Sequence, residues 1–208
     1  MTIKPPDLSR LLSLRSRSGE AGQEMSELRK RLQAIKRKES PRVVVAHQLF
    51  QTPHSLVSRL VDLLGDILGL CCLEPSAGLG RLADQLRAKG AAEVVGVEIA
   101  PQCCAVLQSS RPWLSVKNAD FLTLSPDQIG QFDCIAMNPP FTMRADIRHV
   151  KHAINFLLPG GRLAGLCMAG DKREIELRHL CDTWEEIPAG AFKESNTNVA
   201  TILFSITK

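Results

Sequence analysis

Apolar positions along the chain change their period from one stretch to the next. Between Gly22 and Lys38, Met25, Leu28, Leu32 and Ile35 recur at helical spacing, while Arg29, Lys30, Arg31, Lys36, Arg37 and Lys38 fill the remainder. That pattern predicts a basic amphipathic helix. Ser16 to Gly22 separates it from a shorter apolar run at Leu11 to Leu14, and Ser40-Pro41 marks a boundary. Beyond it, short apolar runs alternate with longer periodic ones. Strands are expected at 70–73, 94–97, 132–137, 162–168 and 199–206, the last alternating into an apolar ladder. Helices are expected at 79–89, closing at Gly90, and at 101–109, 145–158 and 171–180. Another is expected from Thr52, read as its N-cap, with Pro53 at the first helical position, to about Ile67. Repeated strand-then-helix units imply an α/β fold with a mostly parallel sheet. No internal repeat or low-complexity tract interrupts it.

Charge divides the chain in the same place. Residues 1–42 hold eleven Lys/Arg against five Asp/Glu, a net +6, whereas residues 43–208 hold fifteen against seventeen, a net −2. A basic helical arm (1–42) on a near-neutral domain (43–208) points to an anionic partner, nucleic acid first; the alternative is a solvated helical tail. The 208 residues, 44% hydrophobic and 23% charged, suffice for one ordinary core. No apolar run approaches the roughly 20 residues of a membrane span, and Met1 to Ser9 do not resemble a secretory signal. The expectation is a soluble, cytoplasmic protein. Its seven cysteines form no Cys-x-x-Cys, several sit in apolar runs, and no zinc pattern surrounds His149 and His152, so buried thiols and no metal are expected.

In a parallel sheet, ligands bind beyond the C-terminal strand ends. The first strand closes as Leu73-Glu74-Pro75-Ser76-Ala77-Gly78-Leu79-Gly80 and a helix follows. Gly78 and Gly80 permit a tight turn and close backbone approach. The second strand ends at Glu98, eighteen residues after Gly80, followed by Ile99. A carboxylate there is suited to accept hydrogen bonds from both ribose hydroxyls of a nucleoside. Arg81-Leu82-Ala83 after Gly80 leaves a dinucleotide fingerprint incomplete.

The segment instead resembles the first motif of class I S-adenosylmethionine-dependent methyltransferases. Asn118-Ala119-Asp120-Phe121 looks like the third motif of that family, which implies that Asp120 meets the adenine amino group of the cofactor and Phe121 packs against its ring. Asn138-Pro139-Pro140-Phe141 is similar to the Asn-Pro-Pro-aromatic motif of enzymes that methylate a planar amino nitrogen. Phe50-Gln51-Thr52-Pro53 resembles the Phe-x-Thr-Pro motif of DNA adenine-N6 methyltransferases. Together the matches span about residues 47–206. The resemblance implies a doubly wound, mostly parallel seven-stranded, Rossmann-like sheet. It also implies S-adenosylmethionine as cofactor, held by Thr52, Pro53, Glu74, Pro75, Ser76, Ala77, Gly78, Gly80, Glu98, Ile99, Asp120, Phe121 and Asn138. Asn138, Pro139, Pro140 and Phe141 become the catalytic set for N6 methylation of a flipped adenine in DNA, with no metal or general base.

Each element has a plainer reading: a diproline loop, a strand-end acid at Glu98, a turn cap at Asp120, core phenylalanines at 121 and 141. Arg144, Arg148, His149, Lys151 and His152 either contact phosphates near the extruded base or form a polar helix face. Phe192, in the 189–198 segment, is the candidate to pack on the target base. No insertion or extension in this sequence has the size of a usual recognition domain. The expectation is that recognition is short and loop-borne, is supplied by a partner, or tolerates many sequences, with the basic arm adding phosphate contacts that give affinity without specificity. The amphipathic helix has a protein partner as its other reading, through Leu28, Leu32 and Ile35. DNA is favoured over RNA; the rival functions are an RNA adenine or protein glutamine methyltransferase and a catalytically silent subunit.

Overall fold

The structure, a computed structural model, describes residues 51–190 and 199–208. The expected N-terminal arm (1–42) and Phe192 lie outside the described residues.

Seven strands form one sheet in the order β3-β2-β1-β4-β5-β7-β6. They are β1 Cys71–Glu74, β2 Glu93–Glu98, β3 Ser115–Asn118, β4 Phe132–Met137, β5 Leu157–Met168, β6 Thr183–Ile187 and β7 Thr201–Thr207. All neighbours are parallel except at β7, which runs antiparallel to both β5 and β6. The order reverses between β1 and β4, so the switch point that favours ligand binding lies at their C-terminal ends.

Strand residues alternate between two cores, as a period of two dictates. Cys72, Val94, Cys134, Ala136 and Ala164 face one; Leu73, Val95, Ile135, Met137 and Leu163 face the other. The first core is closed by helices α1 (His54–Asp62), α2 (Arg81–Ala88) and α3 (Pro101–Ser110), through Leu56, Leu60, Leu82, Leu86 and Leu107. A short α4 (Pro126–Ile129) precedes β4. The second core is closed by α5 (Ala145–Ala153) and α6 (Asp171–Leu177) with Phe156, through Ile147, Val150 and Leu177. Helices on both faces make the sheet doubly wound, as expected. Among the described residues no helix is long and apolar enough to cross a membrane.

Several expected boundaries move for local reasons. The first helix stops at Asp62 because Gly65, at φ +69°, turns the chain out of register. Gly80, at φ +80°, delays α2 to Arg81. Strand β5 begins at Leu157, where the sequence predicts that a helix continues, and its register shifts between the pairs Phe132↔Leu157 and Cys134↔Arg162, with 158–160 exposed. Strands β3 and β6, absent from the periodicity reading, are edge strands with largely exposed residues.

Candidate active site

The loop after β1 is fastened to β2 by its own backbone. The Ala77 N–H donates to the Val97 carbonyl (2.9 Å), and the Gly80 N–H folds back onto the Ala77 carbonyl (2.7 Å). Gly78 and Gly80 take φ of +52° and +80°, conformations that penalise any Cβ. At Gly80 the requirement is doubled: a Cβ would stand 2.7 Å from Leu107 Cδ2. That glycine therefore serves close packing of α2 against α3.

Two carboxylates organise this loop. Glu98, 9% exposed, accepts the Gly78 N–H on one oxygen and the Ala100 N–H on the other, each at 2.7 Å. It thus joins the glycine loop to the start of α3. Glu74, 2% exposed, accepts the Ala83 N–H (2.8 Å), satisfying a free donor in the first turn of α2. Burial pushes the Glu74 carboxyl well above its ordinary range, opposed by the Ala83 hydrogen bond. Pro75 and Ala77 are buried, Ser76 is half-buried, and Ile99 is 65% exposed beside Glu98.

At the end of β3, the Asn118 amide donates to the carbonyls of Glu98 (2.9 Å) and Ile99 (3.1 Å), tying β3 to β2. The exposed Asp120 accepts the Leu122 N–H (3.0 Å) and caps the turn 121–123. The turn-cap reading of Asp120 is thus met. Phe121 is 2% exposed, its ring centroid 4.9 Å from His152 and 5.0 Å from Phe156. The structure sets this ring in the second core, not at the surface.

Strand β4 delivers Asn138-Pro139-Pro140-Phe141 to the switch point. The Asn138 Nδ2 donates to Thr52 Oγ1 at 3.0 Å. The Thr52 carbonyl in turn accepts from Arg81 Nη1 at 2.9 Å, linking the motif to the first residue of α2. Thr52 is therefore not the N-cap expected from the sequence. Pro53 occupies that position with no side-chain cap, and the Thr52 hydroxyl goes to Asn138 instead. Pro139 is buried, while Pro140 and Phe141 are half-buried, Phe141 packing on the first core.

Past the motif, Met143 and Arg144 both take left-handed backbone, φ +48° and +57°, and both are exposed. The five basic positions, expected either to contact phosphates or to form a polar helix face, separate. Arg144 and Arg148 are exposed, and Lys151 pairs with Glu176 at 2.5 Å. His149 is buried and donates Nδ1–H to the Ala145 carbonyl (2.8 Å), its pKa lowered chiefly by burial. His152 is half-buried, its Nε2 shared between the Phe121 and Leu124 carbonyls. Both histidines pack against Phe121, with ring centroids 6.0 Å (His149) and 4.9 Å (His152) from it, and spend a ring nitrogen on backbone carbonyls.

Three residues of the site escape the sequence reading: Arg81, Asp146 and Arg173. The last two form a buried ion pair at 3.0 Å. The signal for Asp146 was present. With His149, Val150 and Ala153 it falls on one helix face at helical spacing, and that face is buried. An acid on an apolar stripe calls for a partner.

No protein-family model matches the chain. Among solved structures it is similar to TrmN from Thermus thermophilus (TM-score 0.61, 21% identity, 74% of this chain and 48% of that one). It is also similar to the M protein of the type I restriction enzyme EcoKI (TM-score 0.61, 18% identity, 78% and 45%). A Pyrococcus horikoshii protein provisionally described as an RNA methyltransferase aligns over 77% of this chain and 89% of its own (TM-score 0.59, 21% identity). The fold is that of the class I methyltransferases. In sequence, 104 residues are 28% identical to a Methanocaldococcus jannaschii protein provisionally described as a protein N5-glutamine methyltransferase. The match spans half of this chain and 53% of that relative.

Proposed function

We propose that this chain transfers a methyl group from S-adenosylmethionine to the exocyclic N6 amine of adenine in DNA, acting on a base rotated out of its stack. The observation that carries the reading is the Asn138–Thr52 hydrogen bond, which fastens the Asn-Pro-Pro-Phe segment beside the glycine loop. The donor site fits a nucleoside: a loop whose glycines hold positive φ, and a strand-end carboxylate at Glu98 that already orients the loop amides. Gly78, Glu98, Ile99 and Asp120 would hold the cofactor, with Glu74 holding α2 beneath it. When bound, S-adenosylmethionine supplies a methyl group already activated on a sulfonium.

The remaining task falls to the acceptor side. An adenine amine is a weak nucleophile because its lone pair is delocalised into the ring. The Asn138 amide, with Nδ2 turned to Thr52, directs Oδ1 to the other side; it and the Pro139 carbonyl would accept the two amine N–H groups. That draws the nitrogen toward tetrahedral geometry and stabilises the positive charge that develops on it. Two prolines keep these acceptors from rearranging, and Phe141 offers a π face to the base. Exposed Arg144 and Arg148 suit the flanking phosphates, a contact that adds affinity without sequence preference.

A second reading keeps the chemistry and changes the acceptor to a glutamine side-chain amide, favoured by the match to the M. jannaschii relative. The test is transfer of labelled methyl from S-adenosylmethionine to duplex DNA, single-stranded DNA, RNA and protein, each incubated separately. N6-methyladenine in DNA is the expected product; label entering protein alone overturns the DNA reading, and label in RNA alone moves the acceptor to RNA.

A further inference from the structure

Asp146 is fully buried at the start of α5, and both its oxygens are used twice. Oδ1 accepts the Ile147 N–H (3.1 Å) and Arg173 Nη2 (3.2 Å); Oδ2 accepts the Met168 N–H (3.1 Å) and Arg173 Nε (3.0 Å). One carboxylate therefore gathers the first turn of α5, the end of β5 and the guanidinium from α6. The same Arg173 Nη2 donates to the Phe141 carbonyl at 3.2 Å. Arg173 itself is 8% exposed.

A buried ion pair is a weak device for stability alone, because desolvation of two charges cancels most of their attraction. What this one adds is a geometric output. The chain between Phe141 and Ala145 must pass through two successive left-handed residues, Met143 and Arg144, neither of them glycine. Such backbone persists only where its surroundings over-determine it. On one side, the loop is held by α5, which Asp146 anchors. On the other, it is held by the Phe141 carbonyl, which Arg173 anchors. A guanidinium suits this because its planar fork reaches the carboxylate through two nitrogens and still has a proton for the carbonyl; an ammonium has no such fork.

We propose that Arg173, oriented by Asp146, is a positioning residue that pins the Phe141 carbonyl and so holds the acceptor slot in its working shape before substrate arrives. Neither residue touches the reacting atoms. The inference rests on the methyl-transfer reading for its kinetic consequence, and on the hydrogen bonds alone for its structural one.

The test compares Arg173→Lys and Asp146→Asn with the native chain by three measurements. These are amide hydrogen exchange across 138–148, calorimetric affinity for S-adenosylhomocysteine, and steady-state transfer to the acceptor found above. In Arg173→Lys we expect exchange over 141–145 to accelerate about tenfold or more, with exchange in β1, β2 and β4 unchanged and S-adenosylhomocysteine affinity within about twofold. We expect kcat to fall roughly tenfold to a hundredfold with KM altered only severalfold, since a preorganised slot acts on the transition state. Asp146→Asn should repeat this pattern, because an amide cannot hold the guanidinium fork through two anionic acceptors. Faster exchange across the whole domain, or a lower melting temperature with kcat unchanged, makes the pair merely structural and overturns the proposal. If the native chain methylates none of the acceptors, the methyl-transfer reading fails, and local exchange at 141–145 alone decides whether Arg173 pins the loop.

Discussion

The Thr52 hydroxyl lies 3.0 Å from the Asn138 amide nitrogen across 86 residues of sequence. With the Thr52 carbonyl taken by Arg81, the residue is held at both of its oxygens and presents one edge of the Asn138 amide to the site. Thr52→Val keeps the shape and removes the hydroxyl, leaving Nδ2 without this acceptor. The loss of one such hydrogen bond at a half-buried amide is about 1–3 kcal/mol, or roughly fivefold to 150-fold in rate where the bond sets orientation. Single-turnover methyl transfer should fall by that factor in Thr52→Val and be largely restored in Thr52→Ser. Equal rates for native and Val chains would detach Thr52 from the acceptor side.

The Thr52–Asn138 pair joins positions 86 residues apart, and no local pattern marks it. Strand β4 was legible at both ends because Phe132–Met137 is an apolar run with one acid, buried on both faces. The edge strands β3 and β6 carry Lys117, Glu185 and Glu186 at exposed positions, so no apolar run marks them. Thr52 before Pro53 has every local feature of an N-cap, yet a tertiary partner claimed its hydroxyl. Local propensity was legible; competition from a residue far along the chain was not. The strand-end motifs were visible because their identities are local, whereas Arg81, Asp146 and Arg173 matter only through partners that folding brings near.

On the proposed reading, Asn138→Ala removes an acceptor for the amine and leaves the glycine loop and Glu98 intact. The expected loss is at least about a hundredfold in transfer, the scale of deleting one preorganised charge-stabilising group. S-adenosylhomocysteine affinity, measured by calorimetry, should stay within severalfold. A parallel collapse in that affinity would mean Asn138 serves the donor site instead.

Gly80 and Gly69 separate two reasons for a glycine. Both have positive φ, +80° and +73°, but a Cβ at Gly69 would meet nothing within 4 Å, whereas one at Gly80 would strike Leu107. Gly69→Ala should cost about 1 kcal/mol from backbone strain alone, and Gly80→Ala about 2–4 kcal/mol with overpacking added. Denaturant midpoints read the difference, and equal losses would show that α3 yields to the new methyl.

Two buried groups should give stability opposite slopes with pH. The folded pKa of His149 is lowered by burial, so between the unfolded value and the folded one the unfolded chain binds more protons. Its contribution is complete above the ordinary value of 6.5 and is lost as pH falls through the lower folded value. Glu74 behaves inversely: its folded pKa is raised by burial, so its contribution is complete below 4.5 and is lost as pH rises through the folded value. Glu74→Gln should therefore raise the melting temperature relative to the native chain at pH 8, with the gain shrinking toward pH 5. His149→Gln should flatten the decline on the acid side of pH 6.5. The pH dependence is the diagnostic part, since the unpaired amide protons that Gln introduces cost the same at every pH. A Glu74→Gln difference that does not vary from pH 5 to 8 would mean the carboxyl is already ionised in the folded protein, with Ala83 and the first turn of α2 outweighing its burial.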